Sequence, residues 1–226
     1  MKKVCSLCVG LLLALLVLQG QSVVAGEEAD ISLSVPRSEG GMPLLQALKE
    51  RQRIKEFSTQ PLSTEVLSDL LWAAYGVNRP DSGKRTAPSA KNKQEVSIYV
   101  VTAEGIYLYD AAVERLKHVG AGALPQAAPS SSSTGSPPLE LVYVADFTQS
   151  AGRTDEDKRL YATITTGCII QNVYLFCASE KLATVTRTIS DRDALAKTLG
   201  LTRDQWPVMT QAVGHPLPIP TAEKSS

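Results

Sequence analysis

Histidine is almost missing from this chain, with only His118 and His215 in 226 residues. Cysteine is scarce too: four in all, two of them (Cys5 and Cys8) in the first ten residues. The other pair, Cys168 and Cys177, lies nine apart in a stretch that reads as one helix. Nine steps of about 100° put the two thiols on opposite faces, so they cannot bridge each other there. Two such thiols and two histidines form no zinc pattern, and we expect both cysteines to behave as small buried hydrophobes. No Gly-x-Ser-x-Gly elbow, His-Glu-x-x-His pair, Walker loop or Gly-x-Gly-x-x-Gly turn is present, which removes the common hydrolase, nucleotide-loop and dinucleotide signatures. Charge of either sign is not in excess: 23 basic residues balance 23 acidic ones. A nucleic-acid binder normally carries a basic surplus on one face, so we expect no nucleic-acid partner.

What is present begins with a leader. Lys2 and Lys3 precede Val4 to Leu18, an apolar run of about 15 residues, shorter than the roughly 20 that span a bilayer. A polar break and Val23-Val24-Ala25 follow. Residues 1–25 therefore read as a secretory signal peptide, with an uncleaved anchor as the alternative. The chain is expected to be exported, to the periplasm, with no stable membrane span once the signal is removed. Removal takes two lysines and no acid, so the mature balance is 21 minus 23, or −2.

Residues 26–42 are polar, Gly-rich and aperiodic, and read as a flexible tether. From Pro43 the apolar spacing turns helical through Leu44, Leu45, Ala47 and Leu48. A second helix starts at the capping residues Ser63 or Thr64 and carries Val66, Leu67, Leu70, Leu71 and Ala74 to Gly76. Val77 to Gln94 is loop by composition. Val96 to Val101 and Ile106 to Tyr109 read as a hairpin about Glu104-Gly105. Residues 121–138, rich in Ala, Pro and Ser, read as a flexible insertion, and Leu139 to Ala145 as a further strand. Thr154 to Lys181 reads as a long helix with acids at its start and apolar residues on most faces, which places it centrally, between the sheet and a second subunit. A strand over 183–188, a short helix over 191–199 and a last strand over 207–214 complete a domain of residues 43–216, with a Pro-rich tail at 217–226.

Two features carry possible chemistry. One is the basic cluster Arg51, Arg53 and Lys55 at the end of the first helix. Alone it is most simply a solvated helix end that complements the helix dipole. The other is the loop Pro88-Ser89-Ala90-Lys91-Asn92-Lys93-Gln94, which alone is an ordinary turn before a strand.

Their order and spacing resemble the nitroreductase superfamily of FMN enzymes. Arg51-Gln52-Arg53-Ile54-Lys55 matches its Arg-x-Ser-x-Arg/Lys element, with Arg53 in place of Ser. Pro88 to Gln94 matches its Pro-Ser-x-x-Asn-x-Gln loop. Leu71 to Pro80 is similar to the second helix and turn of short exported members. Gly167-Cys168-Ile169-Ile170-Gln171-Asn172 resembles the start of the central helix, and Val213-Gly214-His215-Pro216 the Gly-Tyr-Pro after the last strand. The resemblance implies an α+β, three-layer fold: a mainly antiparallel sheet flanked by helices, with a long buried central helix.

It also implies FMN as cofactor. Arg51 and Lys55 would hold the phosphate, Arg53 would either add a third charge or crowd the ribityl chain, and Pro88, Ser89, Ala90 and Asn92 would face the ring. NAD(P)H is the possible donor, and a nitroarene, quinone or enone the small-molecule acceptor in a ping-pong cycle. No metal and no catalytic side chain are required, since the cofactor carries the chemistry. The resemblance further implies a homodimer with FMN between subunits. Three departures stand out: Lys181 occupies the place of a helix-ending Gly, the Ser/Pro insertion stands where larger members place helices, and of the basic residues that usually follow Gly-Tyr-Pro only Lys224 comes later, with Arg187 a possible substitute. A flavin-binding or flavin-free protein without turnover, and a specialised dehydrogenase acting on a peptide-derived substrate, are the alternatives.

Overall fold

The computed structural model describes residues 29–122, 124 and 137–218. The signal segment 1–25, most of the 121–138 insertion and the end of the 217–226 tail lie outside these residues. The described elements run β1 (Ile31–Ser32), α1 (Leu44–Glu50), α2 (Thr64–Tyr75), β2 (Val77–Arg79), β3 (Lys84–Arg85), β4 (Val96–Val101), β5 (Ile106–Asp110), β6 (Arg115–Gly120), β7 (Leu139–Asp146), α3 (Asp155–Ser179), β8 (Ala183–Arg187), α4 (Arg192–Thr198) and β9 (Gln205–Gly214).

Seven strands form one sheet in the order β1-β6-β5-β4-β7-β9-β8, and every pairing is antiparallel. Period-two alternation divides its faces. Ile98, Val100, Leu141, Tyr143 and Val213 point to one side, where α2 and α3 supply Leu70, Leu71, Ala74, Ile169, Val173 and Cys177. Each such large side chain, fully buried, contributes about 1.5–3 kcal/mol. Tyr99, Val101, Val142 and Val144 point to the other side, under Leu195 and Leu199 of α4 and the segment around it. The result is the expected α+β arrangement of helices, sheet and a thinner second cover. A buried polar chain crosses the first face: the Tyr143 hydroxyl donates to Gln211 Oε1 (2.7 Å), and the Gln211 amide donates to the Thr184 hydroxyl (3.0 Å). Fully satisfied, it fixes the register of β7, β9 and β8.

The long helix α3 begins with a capping box between Thr154 and Asp157 and three acids in its first turn. By length and composition it is apolar enough to cross a membrane, yet here it lies along the sheet with Ala162, Ile169, Val173 and Cys177 buried. Its other side is open. Leu160 and Ile164 are each 55% exposed, and on α1, which packs beside α3, Leu45 is 80% exposed.

Three expectations need correction. From residue 29 the tether is tied down: β1 pairs with β6, and Arg37 bonds Asp69 of α2 and reaches Glu180 beyond α3 at 3.2 Å. A two-residue strand is too short to show a hydrophobic period. The 77–94 loop contains the small hairpin β2–β3. Of the two thiols, Cys177 is buried but Cys168 is only half-buried, because its helical position turns toward the uncovered side of α3.

Candidate functional site

Arg51 caps the end of the first helix, its amide donating to Ala47 O (2.8 Å), while Arg53 and Lys55 lie beyond it. α1 stops at Glu50, and the chain then runs beside β8: the Ile54 amide donates to Thr184 (3.0 Å), the Ser58 amide donates to His215 (2.8 Å), and Phe57 bridges Pro216. Ile54 and Phe57 bury against Ala183, Val185 and Ala212, which pins the segment to the second face of the sheet. Arg51, Arg53 and Lys55 lie two apart in this segment, roughly 7 Å per step where it is extended, and of the three only Arg51 reaches the adjoining cavity. Arg51 also lies over the Tyr174 ring at 5.4 Å, a cation–π contact that steadies it.

Arg51, Gln52, Ile54 and Glu56 line a cavity of about 790 Å³ with Lys49, Cys177, Lys181 and Leu217, whereas Arg53 and Lys55 do not. Lys181 explains the departure from glycine at the end of the central helix. Its φ is +56°, the left-handed conformation that glycine adopts without cost, and its side chain borders the cavity beside Arg51. Neither Lys49 nor Lys181 stands out in the sequence, since each is ordinary until the fold brings both to Arg51. Arg187 is not their substitute: its guanidinium pairs with the buried Glu140 at 3.4 Å. Burial raises the Glu140 carboxyl above its usual value, against the opposing pull of a contact with Thr210 and the Arg187 charge.

The second feature, Pro88 to Gln94, is a rigid loop. Lys91, Asn92 and Gln94 all have φ near +50°, which is tolerable for Asn and costs about 1–3 kcal/mol for the other two. Local bonds hold it: the Gln94 amide donates to Ser89 Oγ (2.9 Å), the Asn92 amide to Ser89 O (3.0 Å) and the Lys93 amide to Ala90 O (3.1 Å). The Gln94 side chain braces it further. Its Oε1 accepts from Arg85 Nε (2.7 Å), and its Nε2 donates to Gly83 O (2.9 Å) and Asn92 Oδ1 (3.2 Å). Gly83, at φ +59°, supplies the left-handed turn that aims its carbonyl inward.

Arg85 is fixed in turn, donating to the Tyr75 carbonyl at the end of α2 (3.0 Å) and lying 4.5 Å from the Tyr75 ring centre. Beneath the loop is a polar cavity of about 420 Å³, lined among others by Tyr75, Arg85, Gln94, Glu95 and Tyr109. Burial pushes the Tyr75 hydroxyl up to about 12. Glu95 is 1% exposed, and one of its oxygens accepts from the Thr165 hydroxyl (2.8 Å), which ties the loop to α3.

The two features are not neighbours within one subunit. The Arg51–Lys55 segment is anchored where β9 ends, at Gly214 and His215. The loop leads into β4, whose Val96 pairs with Ala145, itself paired with Trp206 at the start of β9. Along β9 those anchors stand roughly 25 Å apart. Pro88, Ser89, Ala90 and Asn92 thus share one site, Arg51, Arg53 and Lys55 another, and a single ligand can meet both only if a second subunit supplies one of them.

The residues present fit a phosphorylated, hydrogen-bonding ring: a row of cations at one end, an amide on a rigid loop at the other. Among the described residues no group of three or more His, Cys, Asp or Glu could hold a metal ion. The pattern of the Nitroreductase family matches residues 48–215. A Methanocaldococcus jannaschii protein named for the nitroreductases is 30% identical over 149 residues, 62% of this chain and 75% of its own length. A crystal structure from Ralstonia eutropha, also named for the nitroreductases, superposes with a TM-score of 0.80 at 34% identity, over 86% of this chain and 93% of that one. The Escherichia coli microcin synthetase McbBCD complex shares the fold at a TM-score of 0.63 and 19% identity, over 81% of this chain and 77% of the matched one. This chain belongs to the nitroreductase family, and its general chemistry is that of a flavin-dependent oxidoreductase.

Proposed function

We propose that the chain is an exported, homodimeric FMN oxidoreductase that passes electrons from a reduced donor to an electron-poor organic acceptor in a ping-pong cycle. The observation that carries this reading is the placement of the two ligand-binding features at opposite ends of one subunit's sheet, together with the uncovered apolar faces of α1 and α3. Leu44, Leu45, Leu48, Leu160 and Ile164 are all exposed, and a partner subunit is the occupant such faces require. The antiparallel packing of two copies brings the cation row of one to the loop of the other.

In that assembly Arg51, Arg53 and Lys55 hold the phosphate by charge-assisted bonds. Lys181, beside Arg51, adds a further charge and offsets the missing basic residues after Pro216. Arg53 replaces the hydroxyl of the family pattern with a third cation. Ser89, Ala90 and Asn92 of the other subunit meet the ring edge, and Pro88 sets the approach of the loop. When bound, FMN supplies two-electron redox chemistry that no side chain here could perform. The chain's own task is to grip the phosphate, orient the ring and keep water from one of its faces.

NADH and NADPH are the first donors to assay, although export favours a reductant available outside the cytoplasm. The purified chain should be yellow, or take up added FMN at one equivalent per subunit, and should then reduce a quinone or nitroarene when given a donor. A colourless chain that takes up no FMN would end this reading. Tight FMN uptake without turnover on any acceptor would favour the binding-protein alternative.

A further inference from the structure

We infer that Arg85 and Gln94 are positioning residues that fix which end of the Asn92 amide faces the ligand. A chain of three hydrogen bonds leaves no freedom. Arg85 can only donate, and it is locked to the end of α2 through the Tyr75 carbonyl and ring. Its Nε–H therefore forces the carbonyl oxygen of Gln94 toward it (2.7 Å). The Gln94 NH2 must then face the other way, where it finds Gly83 O (2.9 Å) and Asn92 Oδ1 (3.2 Å). Asn92 Oδ1 is thereby turned inward, and the Asn92 NH2 is left pointing out of the loop. Asn92 is itself exposed, and its backbone, in the left-handed region, is held by its amide donating to Ser89 O.

The group offered to a ligand is accordingly a hydrogen-bond donor. The direction of that donor is set through Gln94 by a guanidinium held at the end of α2. The identity of the ligand rests on the flavin reading; the orientation of the amide does not. Toward FMN a donor at this position favours the electron-rich reduced ring, so Arg85 and Gln94 act on reduction potential through Asn92.

The test is Gln94→Glu in the full chain. A carboxylate can still accept from Arg85 but cannot donate to Asn92, so the Asn92 amide turns over and presents its oxygen outward. Two readouts apply. In the flavin-free chain, hydrogen exchange of the Asn92 side-chain NH2, followed on labelled protein, should slow about tenfold as the introduced carboxylate captures it. In the flavin-loaded chain, FMN and riboflavin should both bind about tenfold more weakly, and the reduction potential should fall.

Arg85→Lys keeps the charge but loses the planar donor, and should move both readouts in the same direction by a smaller factor. Circular dichroism melting of each variant guards against simple loss of fold. Unchanged Asn92 exchange in Gln94→Glu would overturn the inference whether or not the protein binds flavin. An unchanged potential in a chain that does bind FMN would overturn its second half. Failure of the unmodified chain to bind FMN would instead remove the proposed function and leave the exchange result to decide the orientation.

Discussion

The two ends of the sheet are built on opposite plans. At one, Arg51, Arg53 and Lys55 lie on a segment beyond α1 held mainly through its backbone and through Ile54 and Phe57. At the other, a loop with three left-handed residues is braced by bonds that run back to the core through Gln94 and Arg85. The contrast follows from the physics of what each end would hold. Attraction between cations and a doubly charged phosphate falls off slowly with distance and tolerates flexible side chains. A hydrogen bond to a ring edge is lost within a few tenths of an ångström or a few tens of degrees, so its donor has to be fixed in advance, and backbone strain is stored where that is done.

The largest effect should come from separating the ends altogether. Leu45→Glu with Ile164→Glu places charges on both uncovered apolar faces. It should give a monomer by light scattering and weaken FMN binding by at least about a hundredfold, because each subunit then has half a site. A dimer that persists with full FMN affinity would break the comparison.

Next in size is the difference between ligands. Arg53→Gln should weaken FMN about tenfold while leaving riboflavin, which has no phosphate, unchanged. Gln94→Glu should weaken both by one factor. If the two variants show the same FMN-to-riboflavin ratio, the division of labour is wrong.

Smaller is Ser89→Ala, which removes the acceptor for the Gln94 amide. It should cost about 1 kcal/mol and lower the melting temperature by about 2–4 °C.

Smallest is Asp110→Asn, at the end of β5. Lys117, at 2.8 Å, holds the Asp110 carboxyl below its usual value. A depressed carboxylate contributes stability that is complete above its unfolded pKa and lost as pH falls through the folded one. The partly exposed pair is worth under about 1 kcal/mol. Urea melts of wild type and variant should therefore differ slightly at pH 7 and coincide at pH 2.

Much of this architecture was legible in the residues. Alternation marked β4, β5, β7 and β9, and the acids and apolar run of 155–179 marked α3, because burial on one face or one side imposes a period. β1 and the β2–β3 hairpin were not legible, since elements of two or three residues have no period to show. The candidate residues were found by order and spacing, but their geometry was not. Arg51 to Lys55 continued the composition of α1, and only the burial of Ile54 and Phe57 against β8 and β9 makes the segment extended. Lys181 and Arg85 were invisible for a related reason. What they do depends on a backbone angle in one case and on side-chain hydrogen bonds to Gln94 and Tyr75 in the other, and neither leaves a trace in local sequence.

Everything turns on whether one subunit's cations and the other's loop serve the same ligand. A mixed dimer decides it: one chain carries Arg51→Gln, Arg53→Gln and Lys55→Gln, and the other carries Gln94→Glu and Asn92→Asp. If the ends are shared across subunits, both defects fall in one site and the second site is intact, so the mixed dimer should bind one FMN with unaltered affinity although neither parent dimer does. Two equally weakened sites, and none at full affinity, would show that each subunit builds its site alone and would contradict the account.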